Sequence, residues 1–268
     1  MEFQDNRIQP FRVIGNVYFV GGKAVSVHIL KTEEGLIMMD TGYPFMKEEI
    51  LSNMRAVGLD PNDVRIILQT HGHYDHNGNT KYYQEHFPAV TCLSRIDYEA
   101  LQEPIDFSWA DQLGEERLPL FRCDRLLEDG DIVSLGSSSV RCVLSPGHTK
   151  GTMTFFFDTE ENGRVYRCAM HGGVGTNSME TAYLQSKGLS ADCRDHFRES
   201  LHKLALEHVD VVLGSHPQQN DTEGKLRRLL SGETDAFIDS EEWQRFLKTC
   251  ERNLDEMIAK EAKMANEP

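Results

Sequence analysis

Positive charge is scarce in this chain. Only 28 Lys and Arg stand against 43 Asp and Glu, giving a formal net charge of −15 and a pI near 5.1. A protein that binds nucleic acid neutralises phosphates with basic side chains, and a surface this acidic repels a polyanion on average. The expected partner is a small-molecule substrate, with no nucleic acid. No apolar run approaches the roughly 20 residues that span a bilayer, so no membrane segment is expected. The first residues, Met1-Glu2-Phe3-Gln4-Asp5-Asn6-Arg7, have neither a basic start nor an apolar stretch after it. No secretory leader is visible, which points to the cytoplasm; a periplasmic protein would have had its leader removed. The six cysteines, at 92, 123, 142, 168, 193 and 250, include no C-x-x-C pair. They read as reduced thiols, several of them core fillers, since Cys142 and Cys168 lie in apolar strands.

The chain is 39% hydrophobic and 9% aromatic, enough for a substantial core. Short apolar runs at 17–20, 25–30 and 36–39, separated by glycine-containing turns, predict strands. Pro44 then opens a helical stretch in which Ile50, Leu51, Met54 and Val57 share a face, ending at Gly58. A buried-type strand at 65–69 leads into a histidine-rich loop at 70–77, and a helix through Tyr82, Tyr83 and Phe87 follows. Further strands are expected at 89–93, 131–135, 139–144, 152–158 and 164–169, with a loop over 103–122. A helix at 193–208 precedes an apolar strand at 209–213. The last helix carries Trp243, Phe246, Leu247, Cys250, Leu254, Met257 and Ile258 at helical spacing, and Asp239 with Glu242 resembles a capping box at its start. No repeat or linker divides the chain, so one domain over 1–268 is expected. Several strands are consecutive while others alternate with helices, which predicts an α/β (α+β) fold of sheets packed on each other with helices outside.

The loop Thr70-His71-Gly72-His73-Tyr74-Asp75-His76-Asn77-Gly78 places three imidazoles and a carboxylate within six positions. Zinc favours His nitrogen and carboxylate oxygen at about 2.0–2.2 Å. A loop turns alternate side chains towards neighbouring points, so His71 and His73 suit one metal while Asp75 and His76 suit another. His148, in Ser145-Pro146-Gly147-His148-Thr149, and His216, in Gly214-Ser215-His216-Pro217, each follow an apolar strand. Strand ends are where loops gather into sites. Either histidine alone would be read as structural; beside the first motif, both become candidate ligands.

His-x-His-x-Asp-His, then Pro-Gly-His, then Ser-His resembles the metallo-β-lactamase superfamily. The stretch 10–18, then Asp40-Thr41-Gly42, Glu128-Asp129-Gly130-Asp131, Gly214-Ser215-His216-Pro217 and Ala236-Phe237-Ile238-Asp239 are similar to subclass B-three metallo-β-lactamases. The resemblance implies a four-layer αβ/βα sandwich with the site along one edge. It implies two Zn2+ ions, the first on His71, His73 and His148, the second on Asp75, His76 and His216; iron or manganese also suits such donors. Asp40 resembles the aspartate that supports the site loop without being a ligand. Many superfamily hydrolases carry a bridging aspartate at the end of the strand that runs here over 165–169. This chain continues Met170-His171-Gly172-Gly173, without that carboxylate, as in subclass B-three. There His171 takes the place of a small residue and is a candidate contact to metal, water or substrate, or a structural residue.

The activity implied is zinc-dependent hydrolysis of a β-lactam amide by metal-activated hydroxide, with Asp75 orienting the nucleophile. The leader not being visible is unlike secreted β-lactamases and weighs against a role in antibiotic resistance, which the resemblance keeps open. The alternatives are a cytoplasmic hydrolase of lactones, thioesters or other cyclic amides, and a non-catalytic metal-binding protein. Substrate choice is expected to lie in loops 103–122 and 172–190, with Phe107, Trp109 and Tyr183 as candidate pocket residues.

Overall fold

The computed structural model describes residues 5–266. Residues 1–4, on which the expectation of no leader partly rests, and 267–268 lie outside it. Twelve strands are present among the described residues: β1 (Phe11–Ile14), β2 (Val17–Phe19), β3 (His28–Thr32), β4 (Gly35–Met39), β5 (Val64–Leu68), β6 (Val90–Ser94), β7 (Arg125–Leu127), β8 (Ile132–Leu135), β9 (Ser138–Leu144), β10 (Met153–Glu161), β11 (Arg164–His171) and β12 (Val211–Gly214). The α-helices are α1 (Lys47–Ala56), α2 (Tyr74–Asn77), α3 (Thr80–His86), α4 (Arg95–Ala100), α5 (Ala110–Leu113), α6 (Thr181–Lys187), α7 (Cys193–Leu204), α8 (Thr222–Leu230) and α9 (Glu242–Asn266).

The strands form two sheets, ordered β1-β2-β3-β4-β5-β6-β7 and β12-β11-β10-β9-β8. The first is antiparallel up to β4 and parallel from β4 to β7. Only β11 and β12 pair in parallel in the second.

Period-two alternation assigns each strand residue to a layer. In β4, Ile37 and Met39 face the core between the sheets, while Leu36 and Met38 face Ile50, Leu51 and Met54 of α1 and Tyr83 of α3. In β10, Phe155 and Phe157 point between the sheets, whereas Phe156 meets Phe197 and Leu201 of α7 and Trp243 of α9. Both faces of both sheets are thereby buried, and the order helix–sheet–sheet–helix follows, as expected. The loops after β4, β5, β9, β11 and β12 carry the chemistry described below.

Several local expectations are corrected. The run expected at 25–30 forms a strand only from His28, because residues 20–27 close a tight loop through Val20 N to Val27 O (2.9 Å) and Gly22 N to Val25 O (3.1 Å). Strand β7 and helices α4, α6 and α8 were not anticipated; all are short, and α8 has only Thr222, Lys225 and Leu226 buried, which leaves little apolar periodicity to read. The capping box does not form. Asp239 accepts from Glu241 N (3.0 Å), and the Glu242 carboxylate turns to Lys225 Nζ instead, 2.6 Å from each oxygen. No helix of the described residues is long and apolar enough to cross a membrane.

The Lys225–Glu242 pair, its side chains only 7% and 14% exposed, ties α8 to the start of α9. Removing one partner strands the other charge away from water. Glu242→Ala is expected to cost about 3–5 kcal/mol, read by chemical denaturation, and Lys225→Met combined with Glu242→Leu to regain most of it. A Glu242→Ala variant as stable as the parent would show that α9 docks independently of this pair.

Candidate metal centre

All six side chains proposed from the sequence as ligands converge on one cavity of about 330 Å³. His71, His73, Asp75 and His76 come from the loop and short helix after β5, His148 from the loop after β9, and His216 from the loop after β12. The donor atoms of His71, His73 and His148 lie within 4.8 Å of one another, and so do those of Asp75, His76 and His216. The two groups adjoin, the rings of His71 and His76 being 4.2 Å apart.

The hydrogen bonds assign which nitrogen each ring turns inward. Thr70 has one hydroxyl proton, and its Oγ1 lies 3.0 and 2.8 Å from the two oxygens of Asp40. That proton goes to the carboxylate, so Thr70 Oγ1 accepts from His71 Nδ1 at 3.0 Å. His71 Nε2 then carries a lone pair, and it is fully buried without a hydrogen-bond partner. His76 Nδ1 donates to Asp40 Oδ2 (2.8 Å), His148 Nδ1 to Gly175 O (2.7 Å) and His216 Nδ1 to Ala24 O (2.8 Å). His71, His148 and His216 therefore present Nε2 as an acceptor, the tautomer that a metal ligand requires, and His76, its Nδ1 fixed by Asp40, does so once its second proton is displaced.

The electrostatics separate His76 from the other rings. Burial, then the neighbouring rings, holds His71 and His73 well below the usual imidazole range, and burial takes His148 to about 4. Against its own burial, His76 is pushed up to about 10 by Asp75 and Asp40. The two carboxylates thus favour positive charge where the rings meet. A buried, orphaned acceptor, two neighbouring lone pairs, the His76 ring and a carboxylate form a nitrogen-rich donor set that fits zinc.

Asp40 pays for its position with a left-handed backbone (φ +61°), uncommon outside glycine. It is fully buried, and its Oδ1 also accepts from Thr70 N (2.8 Å). One carboxylate thus orients a ring from each cluster. Asp97, on α4, was missed in the sequence. Buried at 4% exposure, it accepts from Gly72 N (2.9 Å), Gly151 N (2.8 Å) and Thr149 Oγ1 (2.7 Å), and so joins the β5 loop to the β9 loop. Its only local signal was the helix cap Ser94, whose Oγ accepts from Asp97 N. Gly173 is required for a different reason: a Cβ there would lie 2.4 Å from His148 Cδ2.

The three proposed pocket aromatics divide between two cavities. Trp109, itself left-handed (φ +72°), lines the metal cavity with its ring 5.5 Å from His73. Tyr183 and Phe107 line a neighbouring cavity, and the rings of Trp109 and Tyr183 are 4.5 Å apart. Lys187 Nζ holds the Trp109 segment in place through Asp106 O (2.5 Å) and Asp111 Oδ2 (2.6 Å).

His171 takes the setting of the structural alternative given for it. It is fully buried, lines neither cavity, and rests against the rings of Phe197 and Phe246. Strand alternation explains this: Met170 points between the sheets, so Ala169 and His171 point to the helix layer.

Residues 20–161, over half the chain, match the family model of the metallo-beta-lactamase superfamily. The chain belongs to that superfamily. An N-acyl homoserine lactonase of Bacillus sp is 28% identical over 161 residues, covering 52% of this chain and 60% of the lactonase. The chain thus spans about 60% of the length of that curated relative. Among solved structures, BJP-1, a subclass B3 metallo-beta-lactamase of Bradyrhizobium japonicum, has a TM-score of 0.87 at 24% identity, covering 98% of each chain. Native FEZ-1 metallo-beta-lactamase from Legionella gormanii has a TM-score of 0.87 at 23% identity, covering 96% of this chain and 97% of that one. At such identities these two likenesses establish the shared fold.

Asp97→Ala would strand two buried backbone N–H groups that together set the spacing of the two loops. Zinc affinity is expected to fall about 10–100-fold, measured by competition with a chromophoric chelator while circular dichroism confirms the fold. Unchanged affinity in a folded variant would show that the loops hold their spacing without Asp97.

Proposed function

We propose that this chain is a zinc-dependent hydrolase that opens the amide of a β-lactam ring, with His71, His73 and His148 holding one ion and Asp75, His76 and His216 the other. The observation that carries this reading is the pair of adjoining donor clusters in one cavity, four of whose rings are set by hydrogen bonds to face inward. When bound, such ions polarise a carbonyl and make water acidic enough to ionise near neutral pH. The chain supplies the rest. Asp75 Oδ2 lies 3.3 Å from His76 Nε2, which donates to it while the ring carries both protons, and 3.4 Å from His216 Nε2, so the three donors converge at the cavity wall, where the Asp75 carboxylate orients an attacking water. Trp109 and Tyr43 form apolar walls that limit water around a bound ring.

A second reading, ring-opening of a lactone, is supported by the sequence likeness to N-acyl homoserine lactonases. The end of β11 favours the first reading: it brings no carboxylate to either cluster, the pattern of the subclass B-three resemblance. We assign the chain to the cytoplasm, in keeping with six free thiols, four of them buried.

The test is hydrolysis of nitrocefin and of a simple γ-lactone by zinc-loaded protein, with a chelator-treated control. Zinc-dependent nitrocefin turnover is expected. Lactone turnover alone would replace the first reading with the second, and two bound metals with no turnover of either would leave a metal-binding protein. Asp75→Ala is expected to lower kcat/KM on the order of 10²–10⁴-fold with unchanged circular dichroism; full activity in that variant would remove Asp75 from the chemistry.

A further inference from the structure

We propose that Lys187 is a positioning residue for the metal centre: it clamps the 106–111 segment, and that segment sets both the His73–Asp75 backbone and the Trp109 ring. The inference rests on the two-ion reading of the site and deepens it.

The segment depends on a clamp from outside. Leu101 and Phe121 belong to a hydrophobic cluster, but none of the residues between them joins any such cluster among the described residues. Arg117 closes the base of this loop on itself, donating to Leu101 O (2.5 Å) and Glu103 O (2.7 Å). Inside it, Asp106 braces a single turn. Its Oδ1 accepts from Ser108 N (2.8 Å) and Ser108 Oγ (2.6 Å), and its Oδ2 from Asp111 N (3.0 Å). Residues 106–111 are thereby bound into one piece.

Two polar ties join that piece to the rest of the described residues. On one side, the Ser108 carbonyl accepts from Tyr74 N (2.7 Å), the residue between the ligands His73 and Asp75. On the other, Lys187 Nζ donates to Asp106 O and Asp111 Oδ2, at 2.5 and 2.6 Å, and lies 5.7 Å from the centre of the Tyr183 ring. Trp109 stands between the ties in left-handed backbone, its ring 5.5 Å from His73. A strained residue keeps such a conformation only while its surroundings impose it. The Lys187 side chain is 5% exposed, whereas Asp111 is 46% exposed. Taking an ammonium out of water for a half-solvated carboxylate gains little net stability, and an apolar side chain would fill the place as well. What an apolar side chain lacks is the pair of directed hydrogen bonds.

Lys187→Met tests the proposal, because it leaves Asp111 free to hydrate at the surface. The chain has two tryptophans, and Trp243 is buried in the helix layer, so subtracting the spectrum of Trp109→Phe isolates the Trp109 signal. In Lys187→Met, Trp109 emission is expected to move to the red and its quenching by acrylamide to rise severalfold. Zinc affinity, read by competition with a chromophoric chelator, is expected to fall about tenfold, while the urea midpoint stays near that of the parent. Asp111→Ala is expected to move both readouts in the same direction, and Asp111→Glu to keep both near parental. Parental emission and zinc affinity in Lys187→Met overturn the proposal. So does a loss of zinc affinity that comes only with a lowered urea midpoint, the mark of a merely structural role. If Lys187→Met does not fold, Asp111→Ala decides by the same readouts. A parent chain that binds no zinc removes the two-ion reading and this role with it, whereas zinc bound equally by parent and variant overturns the role alone.

Discussion

The carboxylate of Asp40 is the interaction on which the rest of the site depends. It lies at the end of β4, in left-handed backbone, with no exposed surface. Such a conformation costs on the order of 1–2 kcal/mol, and a buried carboxylate without partners would cost far more. Three charge-assisted hydrogen bonds, from Thr70 N, Thr70 Oγ1 and His76 Nδ1, offset both. Through Thr70 the same carboxylate reaches His71. One group thus sets the tautomer of a ring in each donor cluster.

The surrounding frame keeps that arrangement rigid. The donor loops all leave strands whose two faces are buried, so their starting points cannot drift. Asp97 then fixes the distance between the β5 and β9 loops with three hydrogen bonds, and Gly173 lets the loop after β11 pass close to the His148 ring. His148 is held from behind by Gly175 O, and Ser178 Oγ donates to His148 O (2.6 Å). A second, apolar cavity opens against the same loops, sharing His73 and His148 with the metal cavity.

Much of this was legible from residues alone. The H-x-H-x-D-H loop, Pro-Gly-His and Ser-His name six side chains that the fold brings together in two groups. Asp40 was also legible as a support. For His171 the residues alone left a site contact and a structural role both open, although the information to choose was present. In β11, Cys168 and Met170 belong to the core between the sheets, which sends His171 to the opposite face. An apolar run buried on both faces hides its phase, because every residue in it looks like core. Asp97 escaped for another reason: a lone carboxylate on a six-residue helix looks like solvated surface until two other loops are seen to donate to it.

By itself the sequence determined the kind of donor atoms, their order along the chain and the two-sheet layering, since these follow from residue chemistry and from period-two and helical spacing. Tertiary structure decided which face His171 takes, which ring nitrogens point inward, and that Trp109 and Tyr183 stand on opposite sides of one wall. Those outcomes depend on contacts between segments far apart in the chain, such as Ala24 with His216 or Asp97 with Gly151. Local spacing carries no record of such pairings, because their geometry exists only once both sheets are packed.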